Sequence, residues 1–220
     1  MARFIEPVAV IGLGRFGTAL ALGLARRGTE VLAIDSQERI VQRLSGQLGR
    51  VVVADSTDID ALRELGLEEF ERAVVAIGND QQSSILTTAL LSDLEIGEIW
   101  AKALNAQHAK ILARIGAHHV IQPESEMGER VAHLVSGRML DYVELDRDWA
   151  LIKTKPPNFL VGAPLGETRL RAKYNVTVVS VKPQHKDEYT YADADTLLTY
   201  GDEILVVGRV RDVERFAENV

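Results

Sequence analysis

The sequence predicts an α/β protein with a doubly wound, parallel six-stranded sheet, followed by a small C-terminal α+β domain. Two observations support this prediction. Between residues 7 and 124, short runs of β-branched residues alternate with segments of helical periodicity, as in consecutive βαβ units. From about Asp141 the alternation stops, and short strands, turns and helices follow without a repeat of the first part. We therefore expect two domains, residues 1–140 and residues 141–220.

The strands of the predicted sheet are short apolar runs that end near glycine, aspartate or proline. They cover residues 8–12, 31–35, 51–55, 73–78, 99–104 and 120–123. The segments between them carry apolar residues at helical spacing, and Gly66 and Gly116 stand where two of these helices should stop. Parallel strands joined by helical crossovers form a sheet that is covered on both faces.

The last helix of the first domain is expected over residues 124–139, where Met127, Val131 and Val135 recur on one face. Because the sheet is already complete, this helix is a candidate for the dimerisation helix of a homodimer. In the C-terminal domain the pattern predicts strands over 149–154, 176–181 and 204–207. It predicts helices over 165–173 and 210–217.

A glycine-rich turn joins the first predicted strand to the first helix. Gly12, Gly14 and Gly17 have the spacing GxGxxG, and Asp35 ends the next strand, close to the roughly 20-residue spacing of a ribose-binding acid. In such a Rossmann-like turn, backbone N–H groups and the helix dipole face a pyrophosphate. Glycines also permit ordinary turns, but the place of this one in the first βαβ unit predicts a nucleotide site.

Asp35 narrows the choice of nucleotide. A carboxylate accepts hydrogen bonds from a ribose 2′-OH and repels a 2′-phosphate, and Ser36 rather than an arginine follows it, so NADP is disfavoured. NAD, NADH, ATP and ADP all stay open, because each carries an adenosine with free hydroxyls followed by phosphates. Arg15, directly after the second glycine, is placed to pair with terminal phosphates or with the ligand of a neighbouring subunit.

Polar residues also follow the other strands, at the edge of the sheet where ligands of open α/β folds bind. Asp55 is expected to lie at the edge of the adenine, to cap the next helix, or to do both. Lys102 lies in an apolar run, needs a partner if buried, and could approach phosphates as a point charge. Glu124 is either a helix cap or, together with phosphates, a ligand of a hard divalent cation.

The composition argues against several classes of function. The chain has 220 residues, a formal net charge of −7 and no cysteine. The acidic balance and the lack of a Lys/Arg run argue against a nucleic-acid partner, and without cysteine there is no disulfide or thiolate chemistry. No segment reaches the roughly 18 consecutive apolar residues that span a bilayer, and no leader pattern opens the sequence. We expect a cytoplasmic protein.

The histidines give little support for catalysis. A dehydrogenase needs a general acid or base that faces the nicotinamide, but none of the five histidines stands in a recognisable metal-binding or catalytic spacing. Structural or surface roles are the better interpretation of all five, including His108 in a predicted alanine-rich helix. A nucleotide sensor therefore fits the sequence better than an enzyme does.

Taken in order, these motifs resemble the Ktr/Trk-type potassium-uptake regulators, whose domains are called RCK or KTN domains. The resemblance covers essentially the whole chain, with both domains in the same order. The segments that carry it are GLGRFG at 12–17, VADST at 53–57, VVAIG at 74–78, IWAK at 99–102, IGA at 115–117, VIQPE at 120–124, LRAKY at 170–174 and GDEILVVG at 201–208.

This resemblance implies a cytosolic regulatory subunit, a homodimer that assembles into an octameric ring beneath a membrane potassium-translocating subunit. ATP or ADP, and in some members NAD(H), would bind the first domain and change the shape of the ring. Arg15 would reach a phosphate across the dimer, and Glu124 would hold a cation (Mg²⁺, Ca²⁺ or Na⁺) that bridges two ATP ligands. The residues implied at this site are Gly12, Gly14, Arg15, Phe16, Gly17, Asp35, Ser36, Asp55, Ser56, Ile77, Gly78, Lys102 and Glu124.

In some members of the family the C-terminal domain also binds cyclic di-AMP at a dimer interface. The positions implied here are Leu165, Arg171, Ala172, Thr177 and Val178. The loop 184–195 departs from the family pattern, because it is acidic and lacks a proline that many such members carry. Binding of this second messenger therefore stays open.

Two other functions would share the glycine turn and Asp35. A small NAD-dependent oxidoreductase, or an NAD(H) redox sensor, is the main alternative. A redox-responsive repressor would need a pair of DNA-binding helices, and the sequence has no basic helix to supply one.

Overall fold

The computed structural model describes residues 6–220, so the first five residues of the predicted domain 1–140 lie outside the described residues. The chain divides into two compact units, one that ends at Pro123 and one that runs from Glu124 to Val220. The predicted division between residues 140 and 141 stays a prediction. Within the described chain, none of the helices has the length and apolar character needed to span a bilayer.

The first unit is a parallel sheet with helical crossovers, and the predicted doubly wound fold is confirmed. The six strands lie in the order β3-β2-β1-β4-β5-β6. Its elements in chain order are β1 (Val8–Ile11), α1 (Arg15–Arg26), β2 (Val31–Asp35), α2 (Glu38–Leu44), β3 (Arg50–Val53), α3 (Ile59–Glu64), β4 (Arg72–Val75), α4 (Gln81–Asp93), β5 (Glu98–Lys102), α5 (Ala106–Arg114) and β6 (His119–Ile121).

Two apolar layers enclose this sheet, one on each face. Ala9 and Ile11 of β1 belong to the larger cluster, whereas Val8 and Val10 belong to the smaller one. Successive side chains of a strand point to opposite faces, so a central strand with helices on both sides must be apolar at every position. This requirement explains why β1 and β2 are uninterrupted runs of buried residues.

The second unit is built on an antiparallel sheet of five strands in the order β10-β9-β11-β8-β7. The helix α6 (Pro123–Val135) precedes it and begins at the last residue of the first unit. The remaining elements are β7 (Asp141–Asp146), β8 (Trp149–Thr154), α7 (Leu170–Tyr174), β9 (Val176–Lys182), β10 (Thr190–Tyr191), β11 (Glu203–Arg209) and α8 (Val210–Ala217).

Contacts along α6 explain why this helix belongs to the second unit. Arg130 pairs with Asp141 at 2.7 Å, and this ion-paired hydrogen bond lowers the pKa of the Asp141 carboxyl. His133 stacks on Tyr142 with a distance of 4.0 Å between ring centroids. The helix ends at Val135, four residues before the predicted end at residue 139. Its role in dimerisation stays a prediction.

The predicted helix over residues 165–173 is wrong in one respect, because the structure divides it. A single 3-10 turn covers Leu165–Glu167, and α7 starts only at Leu170. Arg169 between them has φ +54°, a left-handed backbone conformation that no helix can contain. The strands β7 and β10 were not predicted, since both lie at edges of the sheet and bury few side chains.

Phe216 is the centre of the apolar core of the second unit. It is fully buried, and its ring meets those of Phe159 and Tyr174 edge-on, with centroids 6.2 and 5.8 Å away. We expect Phe216→Ala to lower the free energy of unfolding of this unit by about 3–5 kcal/mol, because it removes buried area and leaves a cavity. Chemical denaturation of the full chain measures this change.

Tyr191→Ala is the matched control, since Tyr191 is almost completely exposed in β10. It should change the free energy of unfolding by no more than about 0.5 kcal/mol. Equal losses in the two variants would contradict the assignment of Phe216 to the core.

Candidate functional site

The glycine turn between β1 and α1 is held by one close contact. Gly12 has φ +89°, a conformation that favours glycine, and its N–H donates to the carbonyl oxygen of Ile34 at 2.8 Å. A Cβ at Gly17 would collide with the carbonyl oxygen of Gly12. These two glycines are therefore required by the fold, because they let α1 start directly against the end of β1.

Gly14 differs from the other two glycines. Its φ is −62°, which any residue adopts, and a Cβ built on it would have no heavy atom within 4 Å. It occupies the N-cap of α1 without a side-chain hydrogen bond, and no acidic residue lies in the first turn. The packing of the chain thus does not require glycine here, and the N-terminal N–H groups of α1 can face an anion.

Asp35 braces the turn from the end of β2. Its side chain is 9% exposed, and its Oδ2 accepts a hydrogen bond of 2.6 Å from the N–H of Leu13. Its Oδ1 accepts one of 2.9 Å from the N–H of Gln37. A carboxylate has about four acceptor sites, so both oxygens can still accept bonds from ribose hydroxyls. Ser36, the next residue, is exposed.

Three predicted residues meet at the ends of β4 and β5. Lys102 is 7% exposed, and its Nζ lies 3.1 Å from where a Cβ of Gly78 would be. The same Nζ is 5.9 Å from the ring centroid of Phe16 in α1. Ile77 contacts the turn as well, since its Cγ1 lies 3.0 Å from a Cβ built on Gly12. The structure therefore brings Lys102 and Ile77 to the glycine turn.

The prediction that Asp55 caps a helix is wrong. Asp58 caps α3, because its side chain accepts the N–H of Asp60 at 2.9 Å. Asp55 is exposed and instead accepts two bonds from Thr57, from the hydroxyl at 2.7 Å and from the N–H at 2.9 Å. These bonds lower the pKa of the Asp55 carboxyl. Aspartates at 55 and 58 both precede α3, so the sequence pattern alone did not separate them.

Ser56 points into the protein. Its Oγ lies 2.7 Å from Oγ1 of Thr87 in α4, and both residues are buried. Thr87 also donates to the carbonyl oxygen of Ser56 at 3.2 Å. The hydroxyl of Ser56 therefore ties the β3–α3 loop to α4, a role that the sequence did not reveal because its partner is distant in the chain.

Arg15 is the first residue of α1, and Glu124 is the second residue of α6. Arg15 is exposed at the start of α1, and its side chain forms no hydrogen bond or ion pair with any residue between 6 and 220. Glu124 belongs to the second unit. In the part of the chain that the structure describes, no group of three His, Cys, Asp or Glu could hold a metal ion. A cation at Glu124 stays a prediction.

A cavity of about 510 Å³ lies in the second unit, beside α7 and β9. It is lined by all five residues predicted for the second messenger, namely Leu165, Arg171, Ala172, Thr177 and Val178. Arg171 and Thr177 are connected, since Nε of the arginine donates to the threonine hydroxyl at 3.0 Å. The acidic loop also contributes to the wall through Asp193 and its neighbours.

Two charged residues of this cavity were missed at the sequence level. Arg169 lines it in the left-handed conformation described above, which no local sequence signal predicts. Asp193 lines it with its carboxylate held by the hydroxyl of Thr196 at 2.7 Å, a bond that lowers the pKa of Asp193. Two guanidinium groups on the wall of one cavity suit an anionic ligand.

Comparisons with known proteins agree with this two-unit architecture. The TrkA-N domain model matches residues 8–123 and the TrkA-C domain model matches residues 150–220. The chain is 39% identical to Ktr system potassium uptake protein C of Bacillus subtilis (strain 168), over 98% of this chain and 97% of that protein. It is 36% identical to Ktr system potassium uptake protein A of the same organism, over 96% and 95%.

Among solved structures, the GsuK channel bound to NAD has the same fold, with a TM-score of 0.55 and 24% identity. The match covers all of this chain and 39% of the channel chain. The chain therefore spans nearly the full length of these two Bacillus subtilis proteins but less than half of this larger channel.

The close contact at Gly17 gives a direct test of the turn. Alanine normally stabilises a helix relative to glycine by about 1 kcal/mol. We expect Gly17→Ala to do the opposite and lower the free energy of unfolding by about 1–3 kcal/mol, since its Cβ meets the carbonyl oxygen of Gly12. Thermal or urea unfolding measures the difference.

Gly23→Ala in the same helix is the control. Its Cβ would meet only the tips of flexible arginine side chains, at 3.4 Å or beyond. This variant should be as stable as the wild type or more stable. If Gly17→Ala behaves in the same way, the described packing of α1 on β1 is incorrect.

Proposed function

The chain belongs to the family of TrkA-domain potassium-uptake proteins, and from this premise we propose that it is the nucleotide-binding regulatory subunit of a Ktr-type potassium transporter. The observation that carries the nucleotide site is Gly14. Neither its backbone conformation nor its packing needs glycine, while it stands at an uncapped helix N-terminus, in the turn that Asp35 braces through the N–H of Leu13. A pyrophosphate that approaches the backbone at this point accounts for the missing side chain.

ATP and ADP are the proposed ligands, and NAD or NADH is the second candidate. Asp35 would accept the ribose hydroxyls, which all of these share, and would repel a 2′-phosphate. Lys102 supplies positive charge near the phosphates, and Arg15 is placed to pair with a terminal phosphate. The GsuK channel, which has the same fold, is described as bound to NAD, so NAD stays among the candidate ligands.

The proposed mechanism is a ligand-dependent change in the shape of a homo-oligomeric ring, built from dimers and attached to a membrane potassium-translocating subunit. ATP and ADP differ in their terminal phosphate, so they can favour different dimer geometries only where protein groups contact that phosphate. Arg15 and a cation held by Glu124 are the groups proposed for this contact. The octameric state and the position at the inner face of the membrane belong to the same proposal.

The histidines support regulation rather than hydride transfer. His108 and His118 accept backbone N–H groups, His119 stacks on Trp100 at 4.0 Å, and His133 stacks on an aromatic ring of the second unit. These contacts give four of the five histidines structural roles. An oxidoreductase commonly uses His, Lys or Tyr as the acid or base, and these four histidines are already engaged in structural contacts.

Calorimetry of the purified full-length chain with ADP and ATP tests the site. We expect Gly14→Ala to fold normally and to weaken binding of both nucleotides by at least about tenfold, because a methyl group would occupy the approach of the pyrophosphate. Gly46→Ala is the matched control, since a Cβ at Gly46 also meets no atom within 4 Å. It should bind as the wild type does.

Flux measurements with the chain and its membrane partner in vesicles extend this test to regulation. Potassium flux should differ between ATP and ADP with the wild type, and the difference should shrink with Gly14→Ala. Flux that does not respond to nucleotide would refute the regulatory proposal, and hydride transfer by the purified chain would favour the oxidoreductase.

We further propose that the cavity beside α7 binds cyclic di-AMP. Arg171 would pair with a phosphate, and the aliphatic wall would contact an adenine. Asp193 opposes binding of an anion, because its carboxylate also lines the cavity. Because two arginines and one aspartate line the cavity, its wall carries a net positive charge, which favours binding of an anion.

Arg171→Ala should reduce the affinity for cyclic di-AMP by about tenfold or more, as loss of a charge-assisted hydrogen bond commonly does. Lys173→Ala is the control, because Lys173 lies in the same helix but outside the cavity lining. Calorimetry with cyclic di-AMP and with AMP checks both variants. Equal effects of the two substitutions, or no binding to the wild type, would contradict this role for the cavity.

A further inference from the structure

His108 is a buried titratable group that the proposed site does not yet use. Its side chain is fully buried, and its Nδ1 accepts a hydrogen bond of 3.3 Å from the N–H of Leu104. Asn105 caps the same helix end, and its Oδ1 accepts the N–H groups of Gln107 and His108 at 3.1 and 2.9 Å. Because Nδ1 receives a proton donor, the imidazole must be unprotonated at that nitrogen.

The bond to Leu104 holds the short segment that leads from Lys102 to α5. Ala103, the residue directly after Lys102, donates its N–H to the carbonyl oxygen of Ile121 at 2.8 Å. The backbone directly after Lys102 therefore has two anchors, one to β6 and one to His108. The Lys102 side chain, in turn, lies against Gly78 and near Phe16.

A proton on His108 would remove the second anchor. It would turn Nδ1 from an acceptor into a donor, which would then face the N–H of Leu104. The other ring nitrogen, Nε2, is buried and has no hydrogen-bond partner among residues 6–220. Burial lowers the pKa of His108 from its ordinary value of 6.5. The neutral imidazole is thus the form that the native packing selects at pH 7.

Within the described residues, α5 and the two elements packed most closely on it carry no buried acid that could stabilise an imidazolium. The elements packed against α5 are α4 and β6, whose titratable groups are Asp93 and His119, and α5 itself carries Lys110 and Arg114. All four of these side chains are exposed. The buried Lys102 of β5 carries a charge of the same sign as the imidazolium. A proton on His108 is therefore favoured only when the segment opens.

We propose that His108 is a positioning residue for the nucleotide site, which anchors the backbone behind Lys102 while neutral and releases it when protonated. This inference rests on the proposed nucleotide site and adds a dependence on pH. The sign follows from the lowered pKa. The contribution of His108 is complete above pH 6.5 and is lost as the pH falls through the lower value of the folded protein.

Calorimetric titration of the full chain with ADP, from about pH 8 to pH 5.5, tests the proposal. Affinity of the wild type should stay constant above about pH 6.5 and fall below the lowered pKa of His108, by up to about tenfold per pH unit, as linkage to one proton requires. In His108→Asn, an amide oxygen can take the place of Nδ1 and does not titrate, so the slope should be smaller while affinity at pH 8 is kept. Protonation of ADP itself contributes equally to both proteins and cancels in the difference.

His118→Asn is the matched control. His118 also accepts a backbone N–H at Nδ1, from Ile99 at 3.0 Å, but its imidazole is exposed. This variant should keep the wild-type slope. Equal slopes in wild type and His108→Asn would overturn the role of His108, whereas no ADP binding to the wild type at pH 8 would instead overturn the nucleotide site.

Proton NMR of the wild type gives a second measurement that does not depend on how a variant folds. Because linkage is reciprocal, ADP should lower the pKa of His108. The same His108 titration with and without ADP would contradict the coupling.

Discussion

The approach of α1 to the end of β1 is the contact on which the rest of the first unit's site depends. It is possible only because Gly17 offers no Cβ to the carbonyl oxygen of Gly12. Asp35 then fixes the intervening turn through the N–H of Leu13, so the direction of the first helical N–H groups is set by β2 as well as by β1. Two glycines and one carboxylate thus determine where an anion can meet the helix, and Gly14 leaves the approach open.

Much of this arrangement could be predicted, because its causes are local in the sequence. The apolar runs of β1 and β2 and the spacing of the three glycines specify strand, turn and helix directly. The polar residues at the strand ends were harder to interpret. Asp55 and Asp58 both suit a helix cap, and only the hydrogen bonds distinguish them. Ser56 finds its partner in Thr87, far along the chain, so no local pattern could have indicated its burial.

The second unit was less predictable for a physical reason. Its helix α7 is preceded by Arg169 in a left-handed conformation, and a non-glycine residue at positive φ leaves no mark in the periodicity. The edge strand β7 buries Tyr142 but little else, so its pattern is that of an exposed segment. The residues implied by family resemblance nevertheless line one cavity, because four of them sit on α7 and β9, which pack against each other, and Leu165 lies in the 3-10 turn before α7. Their ligand stays a prediction.

Affinity and regulation make different demands on the proposed nucleotide site. A ligand shifts an equilibrium between two states only by its difference in affinity for them. The glycine turn and Asp35 would contact the parts that ATP and ADP share, so these groups can supply affinity but no discrimination. Arg15 is exposed at the first turn of α1, and its side chain makes no hydrogen bond or ion pair within residues 6–220. Under the proposed function, discrimination between ATP and ADP would therefore fall to Arg15, together with the cation proposed at Glu124.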